Sequence, residues 1–276
     1  MKLPNIAVRI IAGAVFVGLL LGGILINEFT FAIIFSLITV LSLFEFYGLV
    51  EKDAKVPVIK VWNVLGGFFL FLGSFYFCVF ESSALAFAPY IVYILVLFIS
   101  ELYLKRANPI QSLAYSLLGQ FYIAVPYALT NCLVFAYEQG SYHYVYILAL
   151  LVFIWVNDSF AYLIGMAFGK HRLFERISPK KSWEGFVGGA VVSIGSSLIF
   201  AHFFPNLPVW AWIGFAIVTI VFGTWGDLFE SLIKRTLGVK DSGNMIPGHG
   251  GILDRFDSTI LAIPAIFLYL ILISNL

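Results

Sequence analysis

Residues 150–169 read LLVFIWVNDSFAYLIGMAFG, 20 residues carrying one charge, Asp158, near the middle. About 20 apolar residues cross the hydrocarbon core of a bilayer as a helix. The run is continuous rather than alternating, which excludes the short two-sided strands of an outer-membrane barrel. The same pattern recurs on both sides of it. Spans are predicted at 7–26, 29–50, 61–80, 84–100, 110–136, 144–168, 183–203, 209–232 and 256–275. Composition agrees: 61% of the 276 residues are hydrophobic and 11% charged, where a soluble domain carries about a quarter charged residues. The expected fold is an all-α, polytopic transmembrane helix bundle of about nine spans.

Charge placement orients the bundle. If the N-terminus is cytoplasmic, all 16 Lys and Arg fall on the same side. They group as Lys2 and Arg9; Lys52, Lys55 and Lys60; Lys105 and Arg106; Lys170, Arg172, Arg176, Lys180 and Lys181; and Lys234, Arg235, Lys240 and Arg255. This is the bias that sets membrane topology, and it places the C-terminus outside. Connections on the opposite side are short, at 27–28, 81–83, 139–143 and 202–208. The long polar connections, and any working site, should therefore face the cytoplasm. The first apolar run follows Lys2 and Arg9 but has no A-x-A-like cleavage site, so it is read as a membrane helix rather than a removed signal. Cys78 and Cys132 both fall inside spans and read as small apolar packers. Residues 1–110 are expected to be scaffold, with Glu45 the exception, and residues 111–276 the catalytic region, within one integrated membrane domain.

Ionisable residues inside spans concentrate in that second part. Asp158 at such depth costs about 2.5–3.5 kcal/mol on insertion scales, and reads either as a helix-packing hydrogen bond or as part of a site. At 177–189, ISPKKSWEGFVGG, Pro179 stops any helix. Ser182 can cap the next helix, Glu184 suits its positive end, and Lys180 and Lys181 can anchor it or meet phosphate oxygens. Gly185, Gly188 and Gly189 allow close approach of a backbone or a ligand.

The densest polar run is 231–257, SLIKRTLGVKDSGNMIPGHGGILDRFD. Just before it, Asp227 begins a helical face continued by Glu230, Ser231 and Lys234. Gly243, Pro247, Gly248, Gly250 and Gly251 then break the helix, and a Gly-rich loop offers N–H groups to phosphate. Asp254 and Asp257 follow at i and i+3. Carboxylates from two helices suit a hard cation such as Mg²⁺, and the adjacent Lys234, Arg235, Lys240 and Arg255 suit a polyphosphate beside it. The residues point to metal-assisted phosphoryl or nucleotidyl transfer. No GxxxxGK[ST] loop is present.

The spacing Ser231-x2-Lys234-Arg235-x4-Lys240-Asp241-x-Gly243-x2-Ile246-Pro247-x-His249-Gly250-Gly251-x2-Asp254-Arg255-x-Asp257 resembles the signature of the phosphatidate cytidylyltransferase (CDP-diacylglycerol synthase) family, without a departure. SPKKSWEG and Gly226-Asp227 resemble further elements of that family in the expected order, so that about residues 155–260 are covered. The resemblance implies that CTP and phosphatidic acid give CDP-diacylglycerol and pyrophosphate in a multi-pass inner (plasma) membrane protein, among membrane lipids. It implies Mg²⁺ with a second cation allowed, no nucleic-acid partner, and a homodimer as one allowed assembly. Asp227 and Asp254 are the implied metal ligands, with Asp257 a third ligand or a support. Lys234 and His249 join the implied catalytic set, His249 orienting a phosphate or an aspartate. Lys180, Lys181, Ser182, Ser231, Arg235, Lys240, Asp241, Gly250, Gly251, Arg255 and Asp158 are assigned to substrate binding.

Two other readings are weighed. A CTP-dependent polyprenol or phytol kinase would move the γ-phosphoryl group to an alcohol. A transporter would build a midplane site on a broken helix, but no paired repeat is visible and the charge sits at the cytoplasmic end. The topology makes a direct prediction: a reporter fused after Leu276 reads out on the non-cytoplasmic side, and a cytoplasmic signal there would overturn the nine-span order.

Overall fold

Membrane helices form wherever the chain can pair its backbone internally while facing lipid with apolar side chains, and the computed structural model is almost entirely built that way. It describes residues 5–80, 83–136, 140–243, 245 and 250–274, with side chains from residue 11 onward. The helices are α1 (Asn5–Ile26), α2 (Glu28–Lys52), α3 (Lys60–Val79), α4 (Ala88–Tyr103), α5 (Pro109–Gly119), α6 (Val125–Val134), α7 (Val145–Phe168), α8 (Trp183–Phe203), α9 (Val209–Thr236) and α10 (Leu253–Ser274). A 3₁₀ turn, Ala84–Phe87, leads into α4, and a π-helical turn, Gln120–Ala124, joins α5 to α6. Among the described residues, eight helical stretches are long and apolar enough to cross a membrane. The 22-residue α1 is a further apolar helix, about 33 Å long at 1.5 Å per residue.

Two departures from the expected spans are informative. The eighth span runs four residues further, to Thr236, because Lys234 and Arg235 favour the negative end of a helix. The π turn inside the fifth span precedes Pro126, whose missing N–H breaks the ordinary hydrogen-bond ladder. One element was not anticipated. An antiparallel hairpin of β1 (Arg172–Phe174) and β2 (Ser178–Ser182) fills the connection before α8. Pro179 lies in its second strand, where a helix could not continue.

The chain divides into two compact units: Met1–Tyr144 with Leu237–Phe256, and Val145–Thr236 with Asp257–Leu276. The first is held by a buried polar network. Tyr93 donates to Asn63 Oδ1 at 3.0 Å, and Asn63 Nδ2 donates to Ser116 Oγ at 2.8 Å. Gln120 donates to the Tyr47 hydroxyl at 3.0 Å and to the Asn63 carbonyl at 2.8 Å, and Tyr47 donates to the Ser116 carbonyl at 2.6 Å. Such bonds tie helices together where lipid offers no alternative partner. Cys78 and Cys132 are free thiols that pack side by side, with sulfurs 4.0 Å apart.

In the second unit, α8 approaches the α7 backbone closely at two glycines. A Cβ at position 185 would stand 2.6 Å from the Ala161 carbonyl oxygen, and one at 189 would stand 2.6 Å from that of Asn157. The glycines after Trp183 thus admit a neighbouring helix. Gly226 does the same for α9 and α10, since a Cβ there would stand 2.6 Å from the Asp257 carbonyl oxygen.

The Asn63 network yields a stability prediction. Asn63→Leu should orphan the Tyr93 and Ser116 hydroxyls at a cost of about 1–3 kcal/mol. Each kcal/mol lowers the melting temperature of a chain this size by roughly 2–4 °C, which a thermal melt in detergent will measure.

Candidate functional site

Asp227 lies in the last third of α9, where Gly226 lets the α10 backbone approach. Its Oδ2 pairs with Lys181 Nζ. Its Oδ1 accepts a hydrogen bond from Ser231 Oγ, one turn on, at 3.3 Å. Lys181 is the next-to-last residue of β2, directly before the α8 cap Ser182, so the hairpin delivers this ammonium to α9. Ser182 Oγ accepts the Gly185 N–H at 3.2 Å and caps α8. The sequence-level capping reading of Ser182 is therefore the geometry found.

Glu184 fixes the other edge of the hairpin. Its carboxylate accepts the backbone N–H of Lys170 at 3.1 Å and of His171 at 3.2 Å, and it meets His171 Nδ1 at 2.6 Å. Lys180, Lys181 and Arg172 then line a cavity of about 610 Å³, whose walls also include Asp158, Asn157 and Asp227. That volume is in the range of small-molecule sites. Arg172, Asn157, Tyr162 and Thr224 line it without having been singled out in the sequence. Arg172 sits five residues before the expected cluster at 177–189, and no spacing rule brings it in. Asp158 is open to this cavity, with Asn157 Nδ2 3.4 Å from its Oδ1.

Asp257 is half-buried on α10 and accepts the Ser258 N–H at 2.6 Å. It lies within electrostatic range of Asp227, Glu230 and Asp158. Glu230 is ion-paired with Lys234 at 2.6 Å on the same helix face. Four acidic side chains thus gather round two ion-paired lysines in one unit of an apolar protein. Concentrated carboxylate of this kind is costly unless further positive charge shares it.

These residues fit a magnesium ion of one type. Among the described residues no three His, Cys, Asp or Glu side chains converge to enclose a metal alone. Mg²⁺ commonly uses one or two carboxylates and completes its octahedron with water and substrate phosphates. Asp227 and Asp257, one on each of two packed helices, are the acidic residues here that would suit such a site.

The rest of the expected set, apart from Arg235, lies in the other unit. Asp254 is in the first turn of α10, and its carboxylate is taken by the chain itself. Oδ2 accepts the Ser242 N–H at 3.0 Å and the Gly251 N–H at 2.9 Å. The Gly251 N–H, expected to face phosphate, is directed at Asp254. Gly250 has φ +86, a conformation suited to glycine. Lys240 and Asp241 are exposed and line a second cavity of about 450 Å³ with Glu45 and Lys60. Arg235 and Arg255 are exposed. His249 lies outside the described residues.

Comparison with known proteins agrees with this chemistry. The cytidylyltransferase family profile matches residues 7–273. A phosphatidate cytidylyltransferase of Staphylococcus aureus (strain COL) is 42% identical over 159 residues, 57% of this chain and 59% of that protein. One from Staphylococcus haemolyticus is 45% identical over 127 residues, 46% of this chain and 49% of the relative. One from Haemophilus influenzae is 42% identical over 134 residues, 46% of each chain. The matches thus span about half the length of these relatives, whereas the profile runs through nearly every span. The chain belongs to the cytidylyltransferase family.

Proposed function

We propose that the chain condenses CTP with phosphatidic acid, giving CDP-diacylglycerol and pyrophosphate for phospholipid synthesis. Family membership and the names of the three relatives support the reaction class and both substrates. The observation that carries the reading is the Lys181–Asp227 pair on the wall of a cavity shared with Lys180 and Arg172. A cation-rich wall beside a carboxylate cluster suits two phosphate-bearing substrates and a divalent ion.

In this reading a phosphate oxygen of phosphatidate attacks the α-phosphorus of CTP. The bond from that phosphorus to the bridging oxygen breaks, and its electrons leave with pyrophosphate. A phosphate nucleophile is already anionic at neutral pH, so the chain needs no general base. Lys180, Lys181 and Arg172 offset the repulsion between the substrates and hold them in line. Asp227 and Asp257 would hold Mg²⁺, which when bound neutralises charge on the triphosphate. Lys181 keeps Asp227 oriented before substrate arrives. Tyr162 and Met166 line the same cavity and are largely exposed, which gives the acyl chains an apolar side from which to enter. In this reading the site faces the cytoplasm at the cell membrane, which the charge bias of the spans supports.

Three outcomes are expected. Purified protein given Mg²⁺, phosphatidate and CTP labelled at the α-phosphate should yield a labelled lipid. Label arriving only from the γ-phosphate would identify a kinase instead. Asp227→Asn should lower turnover by about 100-fold or more with unchanged expression, and near-normal turnover would remove it from the metal site. Lys181→Ala and Lys234→Ala should each impair substrate use far more than Lys52→Ala, measured as kcat/KM for CTP; equal effects would indicate general surface charge.

A further inference from the structure

Glu45 is a charged residue in the middle of a segment otherwise built as scaffold. It lies on α2, is only 6% exposed, and has no basic residue within the six positions on either side. Burying a carboxyl group there is costly, so its contacts matter. Among the described residues, the hydrogen bonds it accepts come from about 200 positions further along the chain. Ser242 Oγ donates to Glu45 Oε2 at 3.2 Å, and the Leu253 N–H donates to the same oxygen at 2.9 Å. Leu253 is the first residue of α10, so its N–H is one of those a helix leaves unpaired, and a carboxyl group beside it is favoured by the helix dipole.

Two signature glycines make room for this side chain. A Cβ at position 243 would stand 2.6 Å from Glu45 Oε1, and one at position 251 would overlap Oε2 and the Ser242 hydroxyl. Asp254 grips the same two places from the other side, through the N–H groups of Ser242 and Gly251. Each end of the glycine-rich connection is therefore held twice, once by Glu45 and once by Asp254. Ser242 joins the two carboxyl groups directly, through its hydroxyl to one and its N–H to the other.

We infer that Glu45 is a positioning residue for cytidylyl transfer: it fixes Ser242 and the start of α10, and through them sets the orientation of Asp254, the residue that the family resemblance implies as a metal ligand. The inference rests on the function proposed above for its catalytic half, while the clamp itself is independent of substrate. Glu45 would touch no reacting atom. Its effect should appear in turnover rather than in substrate affinity.

The test compares Glu45→Met, Glu45→Gln and Ser242→Ala with wild type and with Glu51→Gln, an exposed control on the same helix. Methionine keeps the bulk and removes both acceptors. Glutamine keeps one oxygen able to accept from Ser242 and Leu253. Ser242→Ala cuts the link without altering a membrane span, and so reads the clamp even if Glu45→Met fails to fold. Hydrogen exchange is followed in the fragments carrying Ser242 and Leu253, and kcat and KM are measured with CTP and phosphatidate. Faster exchange in Glu45→Met and Ser242→Ala, a kcat lower by roughly 10- to 100-fold as expected for small misplacement, KM within about threefold, and substantial recovery in Glu45→Gln would support the inference. Unchanged exchange, or faster exchange with normal kcat, would overturn it. If wild type makes no cytidine-bearing lipid, the proposed function falls, and the exchange data alone still decide whether Glu45 holds the loop.

Discussion

Unpaired polarity has nowhere to go inside a hydrocarbon layer, and each part of this protein answers to that constraint. The backbone satisfies itself in helices. Side-chain polarity is either consumed in closed networks, as at Asn63, Tyr93, Ser116 and Gln120, or collected where charged substrates can complete it. Asp158, Asp227, Glu230 and Asp257 form the second kind of group, with Lys181 and Lys234 as partial compensation. The two lysines offset only part of this charge, and the remainder is what the Mg²⁺ of the proposed reaction would meet.

Small residues turn the constraint into geometry. Gly185 and Gly189 bring α8 against the α7 backbone, and Gly226 brings α9 against α10. Gly226, next to Asp227, admits the Asp257 backbone because it has no side chain of its own. Gly243 and Gly251 leave space that the Glu45 carboxyl occupies. The glycines read in the sequence as phosphate contacts thus serve, in two cases, to admit a carboxyl group of the protein itself.

Local physics was legible and long-range pairing was not. Span positions follow from hydropathy and helix length, and most helix ends fall within a few residues of those read from 7–26 through 256–275. Asp227, Lys181 and Asp257 were recognisable because charge inside apolar runs is costly wherever it occurs. Two features were out of reach. The β1–β2 hairpin consists of strands too short to show a period, one of them containing Pro179. The bond from Ser242 to Glu45 joins residues 197 positions apart, and a single sequence carries no signal for such a pairing. Glu45 stood out only as an acid in the wrong half.

The staple formed by Glu184 has a consequence for where substrates meet. One carboxylate on the first turn of α8 gathers the backbone of Lys170 and His171 and the ring of His171. The hairpin is therefore referenced to the end of a membrane helix rather than left to drift in solvent. Lys180 and Lys181 inherit that reference. Where α8 leaves the apolar layer, those cations leave it too. For the lipid substrate proposed above this would work as a depth gauge, holding positive charge at headgroup height so that the lipid is engaged without being lifted from its leaflet.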